Sequence, residues 1–199
     1  MAQNLTHLLT EVDAFFMAES KVHETFERLA RLLNELDVDF VLAGGLAVGM
    51  RGHLRVTVDV GILTTSEGLS RFKDRWLGRG YVEKFSGSKG VKDVETGVSI
   101  DFLLAGEYPG DGKPKPVAFP EPASIPREED GHPVLDLRTL VELKLASGLS
   151  APDRLQDFAD VIALIRANAL DSNYTERLND YVRDKYEELW QAAQTKTEP

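Results

Sequence analysis

The chain has 199 residues, 42% hydrophobic and 28% charged, enough apolar material for a proper core in one domain with an appendage. It contains no cysteine, which excludes disulfides, thiolate metal sites and cysteine nucleophiles. A formal net charge of −10 repels phosphate backbones at long range, so bulk DNA binding is not expected.

The N-terminus, Met-Ala-Gln-Asn-Leu-Thr-His, has no basic region ahead of an apolar run. The longest apolar stretch, Phe40 to Met50, is far short of the roughly 20 residues that span a bilayer. A cytoplasmic location and no membrane partner are therefore expected. A first helix is expected at about Leu5 to Met17. Ser20 is placed to cap a second, whose apolar residues Val22, Phe26, Leu29, Leu32, Leu33 and Leu36 recur at helical spacing. Asp37-Val38-Asp39 then hands over to an apolar strand, Phe40-Val41-Leu42-Ala43. Gly44-Gly45 breaks that strand, and Leu46 to Arg51 reads as a short helix.

The run Arg55-Val56-Thr57-Val58-Asp59-Val60-Gly61-Ile62-Leu63 reads as a second strand carrying one carboxylate, Asp59. Ser66 and Glu67 open a helix through Trp76 that Gly78 and Gly80 end. Tyr81 to Phe85, Val91 to Val94 and Val98 to Leu104 read as strands. Glu95-Thr96-Gly97 turns the last two into a hairpin and Asp101 supplies a second strand-borne carboxylate. The sheet is therefore expected to be mixed. Ala105 to Pro133 is rich in Pro and Gly and reads as a long cover or docking loop. Its Asp111-Gly112-Lys113 lacks the Gly-x4-Gly-Lys-Ser/Thr pattern of a phosphate loop. Helices follow at Leu137 to Ser147, Asp153 to Ala167 and about Tyr174 to Ala193, with a frayed close from Gln194 to Pro199. The expected organisation is N-terminal helices over 1–36, an α/β core over 37–135 and a helical subdomain over 136–199.

Carboxylates among apolar neighbours, as Asp59 and Asp101 are, cost free energy unless paired, hydrogen-bonded or metal-bound. Glycines at the end of a strand let backbone N–H groups approach a phosphate closely; they equally suit a plain tight turn. Arg51, His53 and Arg55 form a basic cluster between the glycines and the acidic strand. A second cluster, Lys84, Lys89 and Lys92, reads as solvated surface. The histidines, His7, His23, His53 and His132, are scattered without ligand spacing, and nothing supports a serine hydrolase, Rossmann or zinc-finger reading.

The order of these pieces, Gly44-Gly45, then Asp59, then Asp101, then Leu143-Lys144-Leu145-Ala146 and Arg154-Leu155-Gln156-Asp157-Phe158-Ala159-Asp160-Val161, resembles the nucleotidyltransferase fold. It is most similar to the minimal, AbiEii-type branch that includes toxins of toxin–antitoxin pairs. The likeness covers about Val38 to Ile165. It departs from the family at Gly61, where the second aspartate of an Asp-x-Asp pair usually stands.

The resemblance implies a nucleotidyltransferase-like mixed sheet flanked by helices, with a C-terminal helical subdomain. It implies Mg²⁺ (or Mn²⁺) held by Asp59 and Asp101, with a nucleoside triphosphate as substrate. Gly44 and Gly45 would hold phosphate, Arg51 or Arg55 would reach the triphosphate tail, and Lys144 would contact phosphates beside Asp157 or Asp160. Lys144 pairing with an acid to join two helices is the plain alternative. The implied partners are a protein or RNA acceptor and an antitoxin. The loss of an acid at Gly61 implies weakened catalysis, or a degenerate member that binds nucleotide or protein without chemistry through the Tyr108 to Pro122 loop.

Overall fold

The computed structural model describes residues 21–126 and 131–195. The helix expected at Leu5 to Met17, the Ser20 cap and the end of the tail lie outside them. The first described helix, α1, covers residues 21–35. β1 (Phe40–Ala43) and β2 (Asp59–Thr64) frame the short α2 (Gly44–Met50), and α3 (Ser66–Trp76) leads to β3 (Tyr81–Glu83), β4 (Val91–Asp93) and β5 (Ser99–Leu104). α4 (Leu137–Gly148), α5 (Leu155–Ala167) and α6 (Asp180–Gln194) follow, with short 3₁₀ helices at Pro122–Ser124 and Ser172–Arg177.

The protein is α/β: one five-stranded mixed sheet, in the order β1-β2-β5-β4-β3, flanked by helices. β2 and β5 run parallel at its centre and the other neighbours are antiparallel. The parallel register sets Val60 beside Ile100, Ile62 beside Phe102 and Gly61 beside Asp101. Because side chains alternate across a strand, one face carries Val60, Ile62, Ile100, Phe102 and Leu104, all buried. α3 packs there through Phe72, whose ring centroid lies 5.4 Å from that of Phe102 and 5.1 Å from that of Tyr81. The other face carries Asp59, Gly61, Asp101 and Leu103.

All four residues of β1 are buried, and its outer side is paired by the chain returning after the long loop. Leu42 N–H donates to Pro133 O at 2.7 Å, and Leu42 O accepts from Leu135 N–H at 3.1 Å. That pairing removes an open sheet edge. Arg51 fastens the same segment, its Nε donating to Leu135 O at 2.8 Å and its Nη2 to Val134 O at 3.1 Å.

Side-chain caps mark the starts of α3, α4 and α6. Thr65 accepts from Gly68 N–H, Asp136 from Thr139 N–H and Asn179 from Tyr181 N–H. The Asn179 cap corrects the single helix expected from Tyr174. Leu178 is extended, so the chain makes a 3₁₀ turn and then restarts as α6. β3 also stops at Glu83 rather than Phe85, since Lys84 and Phe85 enter a bend.

Phe72 is fully buried between strand and hairpin aromatics. Phe72→Ala is expected to lower unfolding free energy by about 3–5 kcal/mol in denaturant titration, the cost of a large cavity in a close-packed core. A loss below about 1 kcal/mol would mean the α3 face of the sheet is not the core described.

Candidate functional site

The polar face of β2 and β5 opens onto a cleft of about 440 Å³, within the size range of small-molecule sites. Gly44, Gly45, Asp59, Gly61 and Asp101 line it from the sheet side; Leu140, Leu143, Lys144, Ser147, Arg154 and Asp157 line it from the C-terminal helices. Tyr108 to Gly110, Gly112 and Phe119 close a third side. Residues from four distant stretches of sequence therefore meet in one concavity.

Asp59 and Asp101 share this cleft. They sit on neighbouring parallel strands two residues out of register, which puts their Cα atoms roughly 8 Å apart for ordinary strand rise and spacing. Asp59 is oriented from its own strand entry, where Thr57 Oγ1 donates to its Oδ1 at 3.2 Å. No cationic side chain among the described residues pairs with it. Asp101 differs, because Lys84 Nζ lies 2.6 Å from its Oδ1. Thr57 and Lys84 are site residues that the sequence reading missed.

The glycines act by close backbone approach. Gly44 begins α2 at φ +67°, a conformation costly for any residue with a Cβ. A Cβ on Gly45 would fall 2.5 Å from Thr57 Oγ1, so Gly45 lets the Arg55 to Val58 segment lie against α2. A Cβ on Gly61 would meet Ala43 C and O at 3.2 Å and Gly44 Cα at 3.3 Å. The cleft wall at position 61 is therefore backbone in tight contact, and an aspartate there has to push it back.

Lys144 is satisfied within the protein. Its Nζ lies 2.7 Å from Asp157 Oδ1 and 2.8 Å from Asp160 Oδ2, which leaves at most one of its three N–H donors for anything in the cleft. Asp160 has no exposed side chain and does not line the cleft. Arg55 also reaches it: Nη2 donates to Oδ2 at 3.1 Å, while Nε lies 2.7 Å from Oδ1 but off the angle of a hydrogen bond. Gln156 Nε2 adds a bond to Oδ1 at 2.9 Å. Burial opposes the charge on Asp160, but Lys144, Gln156 and Arg55 together hold its carboxyl below the ordinary carboxylate value. Of the two acids expected near the site, Asp157 is on the cleft and Asp160 is the internal anchor. Of the two arginines, Arg55 is on the cleft. Arg51 is spent on the carbonyls of Val134 and Leu135, because its helix ends beside the strand that covers β1.

The described part of the long loop, residues 105–126, is built rather than loose. Gly106 N–H donates to Phe119 O at 2.9 Å and Phe119 N–H to Glu107 O at 2.8 Å, closing its base. Its tip is tied to the α4–α5 turn, with Asp111 N–H on Ser150 Oγ at 3.2 Å and Arg154 Nη2 on Gly110 O at 3.3 Å. Inside the loop, Lys115 Nζ bonds Pro109 O at 2.6 Å and Asp111 Oδ1 at 2.7 Å. The lysines read as solvated surface, Lys84, Lys89 and Lys92, are exposed, and two of them also pair with acids at the cleft, Lys84 with Asp101 and Lys89 with Glu107. Their charge and spacing carried no sign of this, since their partners lie 17 and 18 residues away.

Among the described residues, no group of three or more carboxylates or histidines is arranged to hold a metal ion. Two carboxylates are nonetheless enough for Mg²⁺, which commonly uses one or two together with substrate phosphates and water. The oxygen donors and the uncompensated charge of Asp59 fit such an ion. No protein-family model matches the chain, and none of the curated proteins compared with it matches. Among the described residues, no helix is long and apolar enough to cross a membrane.

Asp160→Asn is expected to cost about 3 kcal/mol, because it leaves buried positive charge on Lys144 and Arg55 short of a partner. The sign in pH follows from the lowered folded value. The stabilisation is complete above the ordinary 3.8 and is lost as acidity passes through the folded value below it. Unfolding curves between about pH 7 and about pH 3 should show this acid-labile part in the native chain and its absence in the variant.

Proposed function

We propose that the cleft binds a nucleoside triphosphate together with Mg²⁺ or Mn²⁺, and that the protein is, or descends from, a metal-dependent nucleotidyltransferase of the minimal, AbiEii-like kind. The observation that carries this reading is the meeting of Asp59, Asp101 and the Gly44-Gly45 turn in one cleft of nucleotide size. Asp59 and Asp101 would hold the ion. Its charge would neutralise the reacting phosphate and the leaving pyrophosphate. Gly44 and Gly45 present bare backbone to phosphate oxygens, and their N–H groups, in the first turn of α2, have no partner within that helix.

Arg55 and Lys144 line the cleft while bonded to Asp160 and Asp157, so they set a positive wall in fixed positions rather than a mobile clamp. The acceptor would be a protein side chain or an RNA end; the net charge of −10 disfavours a long nucleic-acid track. The backbone wall at Gly61 favours a single shared ion over a pair bridged by two neighbouring acids. A binding module without transfer chemistry, or the toxin of a toxin–antitoxin pair, would share the same pocket.

Titration calorimetry with ATP, CTP, GTP and UTP, with and without Mg²⁺, tests the reading. Metal-dependent binding is expected, and Asp59→Asn should weaken it at least about tenfold by removing the carboxylate that no cation compensates. Equal affinity with and without metal, or an indifferent Asp59→Asn, would discard the metal-nucleotide reading. Transfer of labelled nucleotide to a cell extract separates an active enzyme from a binding module. Gly61→Asp is expected to lower stability by about 1–3 kcal/mol in thermal or denaturant unfolding, because its Cβ meets the Ala43–Gly44 backbone.

A further inference from the structure

The two carboxylates on the cleft floor are unequal, and the inequality is built into the β3–β4 connection. Lys84 stands where β3 ends, and its backbone N–H donates to Gly90 O at 3.2 Å. Its ammonium crosses to Asp101 Oδ1 at 2.6 Å. A Cβ on Gly90 would fall 2.9 Å from that same oxygen and 3.0 Å from Lys84 Cδ, so the pair occupies space that only a glycine leaves open. Across the register, Asp101 is flanked by Gly61 instead of an acid. One oxygen of Asp101 is therefore already held by a positive charge of the protein, whereas among the described residues no cation pairs with Asp59.

An ammonium and a divalent ion on one carboxylate repel each other across a few ångströms, whichever of its two oxygens each takes. The pair is partly exposed, and the lysine, on a flexible four-carbon stem, is the partner that can move. Phosphate oxygens offer it a second set of acceptors close by, for the same ion would carry them into the cleft.

We propose that Lys84 is the internal counter-ion of this site: it holds Asp101 until a metal-bound nucleoside triphosphate enters, then yields that carboxylate to the ion and donates to a phosphate oxygen. This rests on the nucleotide reading above and adds to it the group that exchanges with the metal. Lys84 thereby opposes metal binding alone and favours metal bound with nucleotide, so the site loads the two together.

The test is binding of Mn²⁺ by electron paramagnetic resonance and of ATP in Mg²⁺ by calorimetry, on the wild type and on Lys84→Met. Removal of the lysine should tighten Mn²⁺ without nucleotide about tenfold and weaken ATP about tenfold. Opposite signs are not what a merely structural residue produces. Gly90→Ala, which crowds the pair while keeping the lysine, should move Mn²⁺ in the same direction, and circular dichroism checks that both variants fold. If wild type binds Mn²⁺ and ATP but Lys84→Met shifts neither, or shifts both the same way, the counter-ion role is wrong and the nucleotide reading survives. If wild type binds neither, both fall.

Discussion

Asp160 is out of water on α5 and still ionised, because Lys144 from α4 and Arg55 from the strand entry before β2 both reach it. A lone carboxylate there would be very costly, and so would either cation left without it. Two successive helices and a segment 105 residues from Asp160 in the chain are thus held in one arrangement by mutual need for charge. Arg55 cannot reach Asp160 unless the segment before β2 lies against α2, and Gly45 is what permits that, since any larger residue would strike Thr57. Thr57 in turn hydrogen-bonds Asp59. The buried ion cluster and the Asp59 carboxylate of the cleft are connected through one short stretch, in which Arg55, Thr57 and Asp59 follow at alternate positions.

A wall made of backbone has consequences for chemistry. At Gly44 and Gly61 the chain touches itself backbone to backbone, and at Gly45 the Thr57 side chain packs against it, so this side of the cleft presents peptide groups at a fixed depth. The opposite side is made of side chains that already have partners: Lys144 with Asp157, Arg154 with Asp157, and Lys89 with Glu107. Pairing holds these charges in place at some cost to their freedom to meet a ligand. Asp59, on the sheet side, accepts from Thr57 and pairs with no cation among the described residues. The loop tip fastened to the α4–α5 turn by Ser150 and Arg154 completes the enclosure, so the third side is as fixed as the other two.

Much of this was legible in the sequence and some was not. The apolar periodicity of α1, α3, α4 and α5, the Gly97 turn and the alternation around Asp59 and Asp101 all carried through, because each depends on residues close together in the chain. The break before α6 was hidden: Leu178 continues an apolar pattern, and only the Asn179 cap reveals a restart. Arg51 and Arg55 looked equivalent beside the glycines. One serves the carbonyls of a strand that arrives 83 residues later and the other a buried acid 105 residues away. Lys84 and Lys89 looked like ordinary surface charge for the same reason, as did the structural role of Asp160.

Local spacing in the amino-acid sequence determined most of the helices and strands and set each of the two carboxylates within a strand, because backbone geometry converts spacing into direction. What it could not determine is which charges meet. That was decided by the tertiary structure, in which the parallel register places Gly61 rather than Asp59 beside Asp101, and burial selects Asp160 over Asp157 as the anchor. Ion pairs form across whatever distance the packed core closes, and no rule of sequence spacing encodes that distance.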